Sequence, residues 1–198
     1  MDVGINGKAR PVSRLKFKPK LDKLVELLLY LSHKKQHVDH YRACKLIYLA
    51  DWVHLNKYGR PVVADTPKAM QFGPVATKSY ELLKRNPAVM REARIDDLPF
   101  ETRQLDKTIY IGPPKRAVVR ELFSRSDLAT FDAVLAEFGE LTFDQLHDIT
   151  SKHFAYRNAW ANRPQNHNSA LMSFDDMLEE NAKKSDYIDE IEHISHRM

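Results

Sequence analysis

Apolar positions first become regular at Leu21. Leu21, Leu24, Val25, Leu28 and Leu29 fall on the i, i+3, i+4, i+7, i+8 stripe of a helix with one face on a core. The pattern predicts a helix from about Leu21 to His33, ended by the polar run Ser32 to Gln36. Asp39 stands where an N-cap carboxylate would accept an early backbone N–H, and Gly59 where a helix would stop, because glycine takes positive φ without strain. Lys57 and Arg60 suit the negative pole of that second helix. Two antiparallel helices are therefore expected before Pro61. The chain then turns through Val62 to Thr66, and Lys68 to Phe72 has the length of a short strand. Gly73-Pro74 is expected to end it and to open a helix with proline at the first position, where the missing N–H had no partner anyway. That helix should turn Ala76, Tyr80 and Leu83 inward and stop near Asn86-Pro87, since the residue before proline avoids αR geometry.

Farther on, Phe100 and Thr102, then Thr108 to Ile111, flank a polar Leu105-Asp106-Lys107 turn, which predicts a hairpin closed by Pro113-Pro114. Ser126 or Asp127 should cap a helix carrying Leu128, Phe131, Val134, Leu135 and Phe138 up to a stop at Gly139. Thr142 and Gln145 have capping-box spacing for the next helix, through Leu146 and Ile149. After a break near Lys152, Phe154, Tyr156, Ala159 and Trp160 continue helically. Asn162 to Ser169 reads as a polar loop. Ser173 and Asp176 then open a last amphipathic helix with Phe174, Met177, Leu178, Tyr187, Ile188 and Ile191. The expected fold is mainly α: a compact single helical domain with a small β-hairpin or short sheet element. Residues 1–19 should form a flexible basic arm, residues 20–162 the domain, and residues 163–198 a polar loop and acidic C-terminal helix packed on it.

Composition narrows the class. With 198 residues, 43% hydrophobic and 29% charged, the chain fits one soluble domain with a tail. No apolar run approaches the roughly 18 residues of a membrane span, and MDVGINGKARPVSRLKFKPK lacks the apolar core of a signal peptide. A cytoplasmic protein without a membrane partner is expected. Cys44 is the only cysteine, which excludes an intramolecular disulfide and makes it a small core residue. The net charge of +4 is unevenly spread: Lys8, Arg10, Arg14, Lys16, Lys18, Lys20 and Lys23 crowd the start, and Asp175, Asp176, Glu179, Glu180, Asp186, Asp189, Glu190 and Glu192 the end. A basic arm can neutralise phosphates, so nucleic-acid binding stays open beside a solvated arm. Arm and tail could also attract each other.

Candidate chemistry is sparse. Asp51 and His54 lie three apart on a helix, a spacing that could serve acid–base work, and His147, Asp148 and His153 cluster later. There is no nucleophile elbow, no phosphate-cradling loop among only six glycines, and no H-E-x-x-H spacing. His37, His40, His147, His153 and His167 lack a cysteine pair or a carboxylate at ligand separation. The expectation is no enzyme, no cofactor and no metal, with Asp51 and His54 satisfying backbone groups at a buried corner. Arg60 reads as a clamp on Asp51 or Asp65, or as a recognition residue. Met70, Phe72, Phe154 and Trp160 are core residues or partner anchors.

The densest information lies in KLIYLADWVHLNKYGRPVVADTPKAMQFGPVATKSYELLK, Lys45 to Lys84. Tyr48, Leu49, Ala50, Asp51, His54, Leu55, Tyr58, Gly59, Arg60, Pro61, Asp65, Met70, Gly73, Pro74 and Val75 form an ordered string that resembles the Panacea antitoxin domain, the family that contains the SocA proteolysis adaptor. SDLATFDAVLAEFGELTFDQLHDITSKHFAYRNAW adds a looser match to the family's closing helices, so that the resemblance spans roughly Leu21 to Trp160. Phe72 departs from the family pattern, in which a polar or His residue commonly precedes the glycine. The resemblance implies an antitoxin of a bacterial or phage toxin–antitoxin system that binds and neutralises a cognate protein toxin by direct contact. The alternatives are an adaptor that delivers the toxin to a protease such as an AAA+ Clp complex, and a nucleic-acid-binding regulator using the basic arm. The toxin interface is then expected at His54, Tyr58, Arg60, Asp65, Met70, Phe72, Pro74 and Val75, and a structural corner at Asp51, Gly59, Pro61 and Gly73.

Overall fold

A computed structural model describes residues 13–178 and 184–197. Lys8 and Arg10 of the expected arm, and Glu179 and Glu180 of the acidic tail, lie outside the described residues. The fold is mainly α with two small three-stranded antiparallel sheets. Among the described residues no helix is long and apolar enough to cross a membrane.

Helix α1 (Leu21–Lys34) and helix α2 (His40–Tyr58) form the centre. The caps of α2 are those its sequence calls for: the Asp39 carboxylate accepts from Arg42 N–H, and Gly59 closes the helix at φ +71°. Both helices are buried beyond the single stripe read from the sequence, α1 almost continuously from Leu21 to Ser32 and α2 from Ala43 to Asp51. A helix enclosed on all sides needs neighbours on all sides, and α2 touches elements from nearly every part of the chain.

The region after α2 departs from expectation. Strand β2 (Pro67–Met70) turns at Gln71-Phe72 into strand β3 (Gly73–Ala76), so Gly73-Pro74 starts a returning strand and not a helix. Proline is tolerated because β3 lies at the sheet edge, where its missing N–H breaks no ladder. Helix α3 (Thr77–Leu83) begins three residues later, and Asn86 caps a further helix, α4 (Pro87–Glu92), with proline at its first position. Ala76 and Leu83 are buried as expected, but Ser79 and Leu82 are too, and Tyr80 is only half-buried.

The expected hairpin is present as strands β4 (Phe100–Leu105) and β5 (Thr108–Pro114), with Asp106 at φ +51° in the turn. It is joined by β1 (Val38–Asp39), giving the order β1-β5-β4. Helix α5 (Arg125–Phe138) is capped by Ser124, two residues before the earliest cap expected, and Asp127 returns the capping-box bond to Ser124 N–H. The Thr142/Gln145 box opens α6 (Phe143–Ser151), and α7 (Phe154–Ala161) follows. The expected loop ends in a strand, β6 (Ser169–Leu171), which pairs with β2 on the side away from β3. The last helix is interrupted: α8 (Phe174–Met177) ends in extended backbone at Leu178, and α9 (Lys184–Ser195) follows.

Residues from Ser13 onward are packed, although the sequence placed them in a flexible arm. Leu15 and Phe17 are buried, Phe17 meets Phe174 edge-on at 5.3 Å, and Arg14 pairs with Asp189 and Glu192 on α9. Ile191 in turn sits where a side chain on Gly59 would go.

The Arg60 clamp closes on a partner the sequence did not suggest. Its Nη1 donates to Asp127 Oδ1 at 2.9 Å, not to Asp51 or Asp65. Asp127 is buried and also accepts from Lys23 Nζ at 2.7 Å and from Ser124 N–H at 2.7 Å. Burial works to raise its pKa, but Lys23, the Ser124 N–H and Arg60 together outweigh it and bring the carboxyl down to about 2. Removing one cation leaves the other in place, whereas removing the carboxylate strands both. Arg60→Ala should therefore cost about 1–3 kcal/mol and Asp127→Ala about 3–5 kcal/mol, measured by urea unfolding at pH 7. Equal costs would refute the shared-carboxylate arrangement.

Candidate functional site

A cavity of about 580 Å³ opens between the start of α2, the β2–β3 hairpin, α3 and α7. His40, Tyr41, Cys44 and Lys45 line it from α2, Met70 to Phe72 with Pro74 and Val75 from the hairpin, and Tyr80, Trp160 and Asn168 from the far side. The hairpin tip is held from both flanks: Tyr41 Oη donates to Phe72 O at 2.9 Å and Tyr156 Oη to Met70 O at 3.0 Å. Those bonds fix the backbone and leave the Phe72 ring outside, 51% exposed. It meets Phe143, itself 44% exposed, at 5.7 Å, and Phe143 lies against Tyr41 at 4.2 Å. Tyr41 and Phe72 thus line one side of the cavity, with Phe143 packed against both just outside it.

Lys45 is 1% exposed. Its Nζ donates to Pro74 O at 2.8 Å and sits 5.2 Å from the centre of the Tyr41 ring. The ammonium reaches that carbonyl across Gly73, whose φ of +96° favours glycine and whose missing side chain leaves the space that Nζ occupies. The same point lies 3.2 Å from Thr150 Oγ1 and 3.6 Å from His147 Nδ1. That His147 nitrogen is buried without a hydrogen-bond partner. Burial lowers the pKa of Lys45 to about 7, with only the neighbouring Cys44 thiol acting the other way.

The residues singled out from the sequence separate into distinct places. Met70, Phe72, Pro74 and Val75 come together at the cavity. Arg60 belongs to the Asp127 cluster, as does His54, whose Nδ1 bonds Arg60 O at 2.7 Å and whose Nε2 faces Ser126 Oγ at 3.0 Å. A carbonyl only accepts, so Nδ1 carries the proton, Ser126 donates to Nε2, and burial lowers the pKa of His54 to keep it neutral. Asp65 is buried, accepting from Lys78 N–H, Ser79 N–H and Ser79 Oγ at the start of α3. Tyr58 is 44% exposed near the end of α2.

Asp51 does not meet His54; its carboxylate accepts from Val63 N–H at 2.8 Å and Asp65 N–H at 2.9 Å. Asp148 pairs with Lys152, while His153 Nδ1 accepts from Tyr48 Oη at 2.9 Å. Among the described residues no three His, Cys, Asp or Glu side chains gather as metal ligands. Sequence reasoning passed over Lys45, Tyr41 and Phe143. The signal for Lys45 was present: a lysine inside the apolar run of α2, one turn from Tyr41 and three residues before Tyr48.

The family described as Antitoxin SocA-like, Panacea domain, matches residues 44–161. The match takes in most of α2, the hairpin and α7, and so most of the cavity wall. No curated protein and no solved structure matches the chain.

His153 offers a pH test of this region. Its ring stacks on Trp52 at 4.4 Å, and burial, with Lys45 adding to it, pushes its pKa down to about 4. The unfolded chain binds this proton below about pH 6.5 and the folded chain only near pH 4. Stability contributed at neutral pH is therefore lost as the pH falls between those values. His153→Gln retains an acceptor for Tyr48 and should lose less stability between pH 7 and pH 5 than the parent in urea unfolding. A parallel loss in both proteins would refute the assignment.

Proposed function

The chain belongs to the SocA-like antitoxin family with a Panacea domain, and we propose that it neutralises a cognate protein toxin by direct contact, in the cytoplasm and without turnover. Occlusion by a folded domain needs an interface of about 1,000 Å² or more with a few well-placed anchors, and no chemistry. The observation that carries this reading is the exposed pair of Phe72 and Phe143, backed by half-buried Tyr41, beside a preformed cavity. Large rings held by a fixed backbone contribute binding energy at little cost in conformational entropy. Phe72 is held by Tyr41 behind it, yet its side chain makes its main contact with another exposed ring. Such a residue serves the fold little and a partner well. The stereochemically demanding residues around Asp51 and Gly59 act as scaffold, and the toxin faces the hairpin.

The test is co-expression with the product of the adjacent gene. Rescue of growth should follow stoichiometry, and Phe72→Ser with Phe143→Ser should weaken toxin binding at least tenfold while the melting temperature changes little, since both rings are exposed. Unchanged affinity would move the interface away from the hairpin. Rescue by trace amounts would speak for catalysis, and rescue that requires an AAA+ protease would favour delivery over occlusion.

A further inference from the structure

The interior of this protein pairs its buried cations with one exception. Lys23 meets Asp127, whereas Lys45, the other buried lysine among the described residues, has the neutral carbonyl of Pro74 as its acceptor. Among the described residues no carboxylate lines the cavity that Lys45 borders. Whenever it is protonated, this buried amine has one hydrogen bond, keeps two donors unused and carries an uncompensated charge, of which the Tyr41 ring face offsets only part. Asp51 and Asp65 are committed to backbone N–H groups, and Asp39, the N-cap of α2, to Arg42. On the other side of Gly73, His147 Nδ1 is also left without a partner.

The remaining polar groups that line the cavity are neutral. His40 Nδ1 accepts from Ile109 N–H, which places its proton on Nε2, and burial lowers its pKa so that the ring stays neutral. The Tyr41 hydroxyl proton is already given to Phe72 O. Around these groups the wall is aromatic, with Tyr80 and Trp160 opposite the hairpin.

Resting on the reading of this face as toxin-binding, we propose that the cavity receives a carboxylate flanked by large apolar side chains, carried on a segment of the partner protein, with Lys45 as its counter-ion. A positively charged guest would repel Lys45, and a neutral guest would leave it uncompensated in a site from which water has been displaced. A carboxylate gives Nζ the charged acceptor that the fold withholds, and the aromatic wall holds the apolar flanks. A nucleic acid could stack on the same rings but would bring several phosphates to a site with one buried cation.

The experiment follows the Trp160 indole N–H and the Lys45 side chain of the full chain by NMR during titration with acetyl-Phe-Glu-Leu-amide, its Gln and Lys counterparts, and an octathymidylate. The Glu peptide should shift Trp160, bind at least tenfold more tightly than the Gln peptide, and hold Lys45 protonated at pH 8 in the unaltered protein. Lys45→Met should retain the fold and lose the preference for Glu over Gln. Equal binding of the Glu, Gln and Lys peptides, no response at Trp160, or preferential binding of the octathymidylate would overturn the proposal. The co-expression assay separates the two readings. Neutralisation without Glu-peptide binding removes this inference alone, and Glu-peptide binding without neutralisation removes the antitoxin reading and leaves the site.

Discussion

Two buried carboxylates hold the working half of the molecule in place by gripping backbone, not charge. Asp51, on α2, accepts from the N–H groups of Val63 and Asp65; Asp65 accepts from those of Lys78 and Ser79 at the start of α3. Four backbone donors in a helix-to-loop-to-helix corner are thereby satisfied, each of which would cost about 1–3 kcal/mol if buried unpaired. The grip also holds Ala64 at φ +57°, a conformation a non-glycine residue adopts only when its surroundings impose it. Burial opposes the arrangement, pushing Asp51 up to about 7 and Asp65 up to about 6 against the pull of the backbone N–H bonds. With both ends of the segment anchored, the β2–β3 hairpin between Asp65 and α3 has little freedom. Thr77 Oγ1 closes its base on Thr66 O at 2.6 Å, and its tip is presented at the aromatic rim.

The second polar cluster has a different task. Asp127 with Lys23, Arg60 and Ser124 joins α1 and the end of α2 to α5, which lies far along the chain. Lys23, Asp127 and His54 are buried, Arg60 and Ser126 partly so and Ser124 exposed, and they use their donors and acceptors on each other. Replacing such a cluster with apolar residues of the same shape could leave stability unchanged, so its value lies in fixing one packing of three helices. The ion pairs of Arg14 with α9 are exposed and contribute little by comparison.

Most of the helical framework was legible because it depends on local rules. Asp39, Gly59, Thr142 with Gln145, and Ser173 cap helices through bonds spanning a few residues, and periodicity located the helices between them. The failures share a cause. Pro74 looked like a helix start, and only the edge position of β3, a tertiary fact, permits it in a strand. Strand β6 has no distinctive composition, since three residues become a strand only by pairing with β2. Arg60 reads from the sequence as a clamp on Asp51 or Asp65, or as a recognition residue; its pairing with Asp127 depends on where α5 docks, which no local pattern encodes. For the candidate site, the hairpin residues Met70, Phe72, Pro74 and Val75 were found together, whereas Lys45 was hidden in an apolar run as one more residue of a core helix.

That concealment bears on how the site works. A lysine buried in a helix interior destabilises unless something answers its charge, and selection for stability alone would favour Met or Leu at Lys45, as replacements of buried ions by apolar groups usually stabilise. The surrounding structure instead makes room for it: Gly73 gives up its side chain and adopts a conformation that other residues avoid, so that Nζ can cross to Pro74 O. A polar group kept at a cost, with a second residue shaped around it, violates the consistency that governs the rest of the interior, where Asp51, Asp65, Asp127 and His54 are all satisfied. The violation occurs at the wall of the cavity and next to the exposed rings, not in the Asp51 corner or the Asp127 cluster. The parts of the fold that are fully satisfied are thus the scaffold, and on the proposed reading the part that is not is the surface a partner would complete.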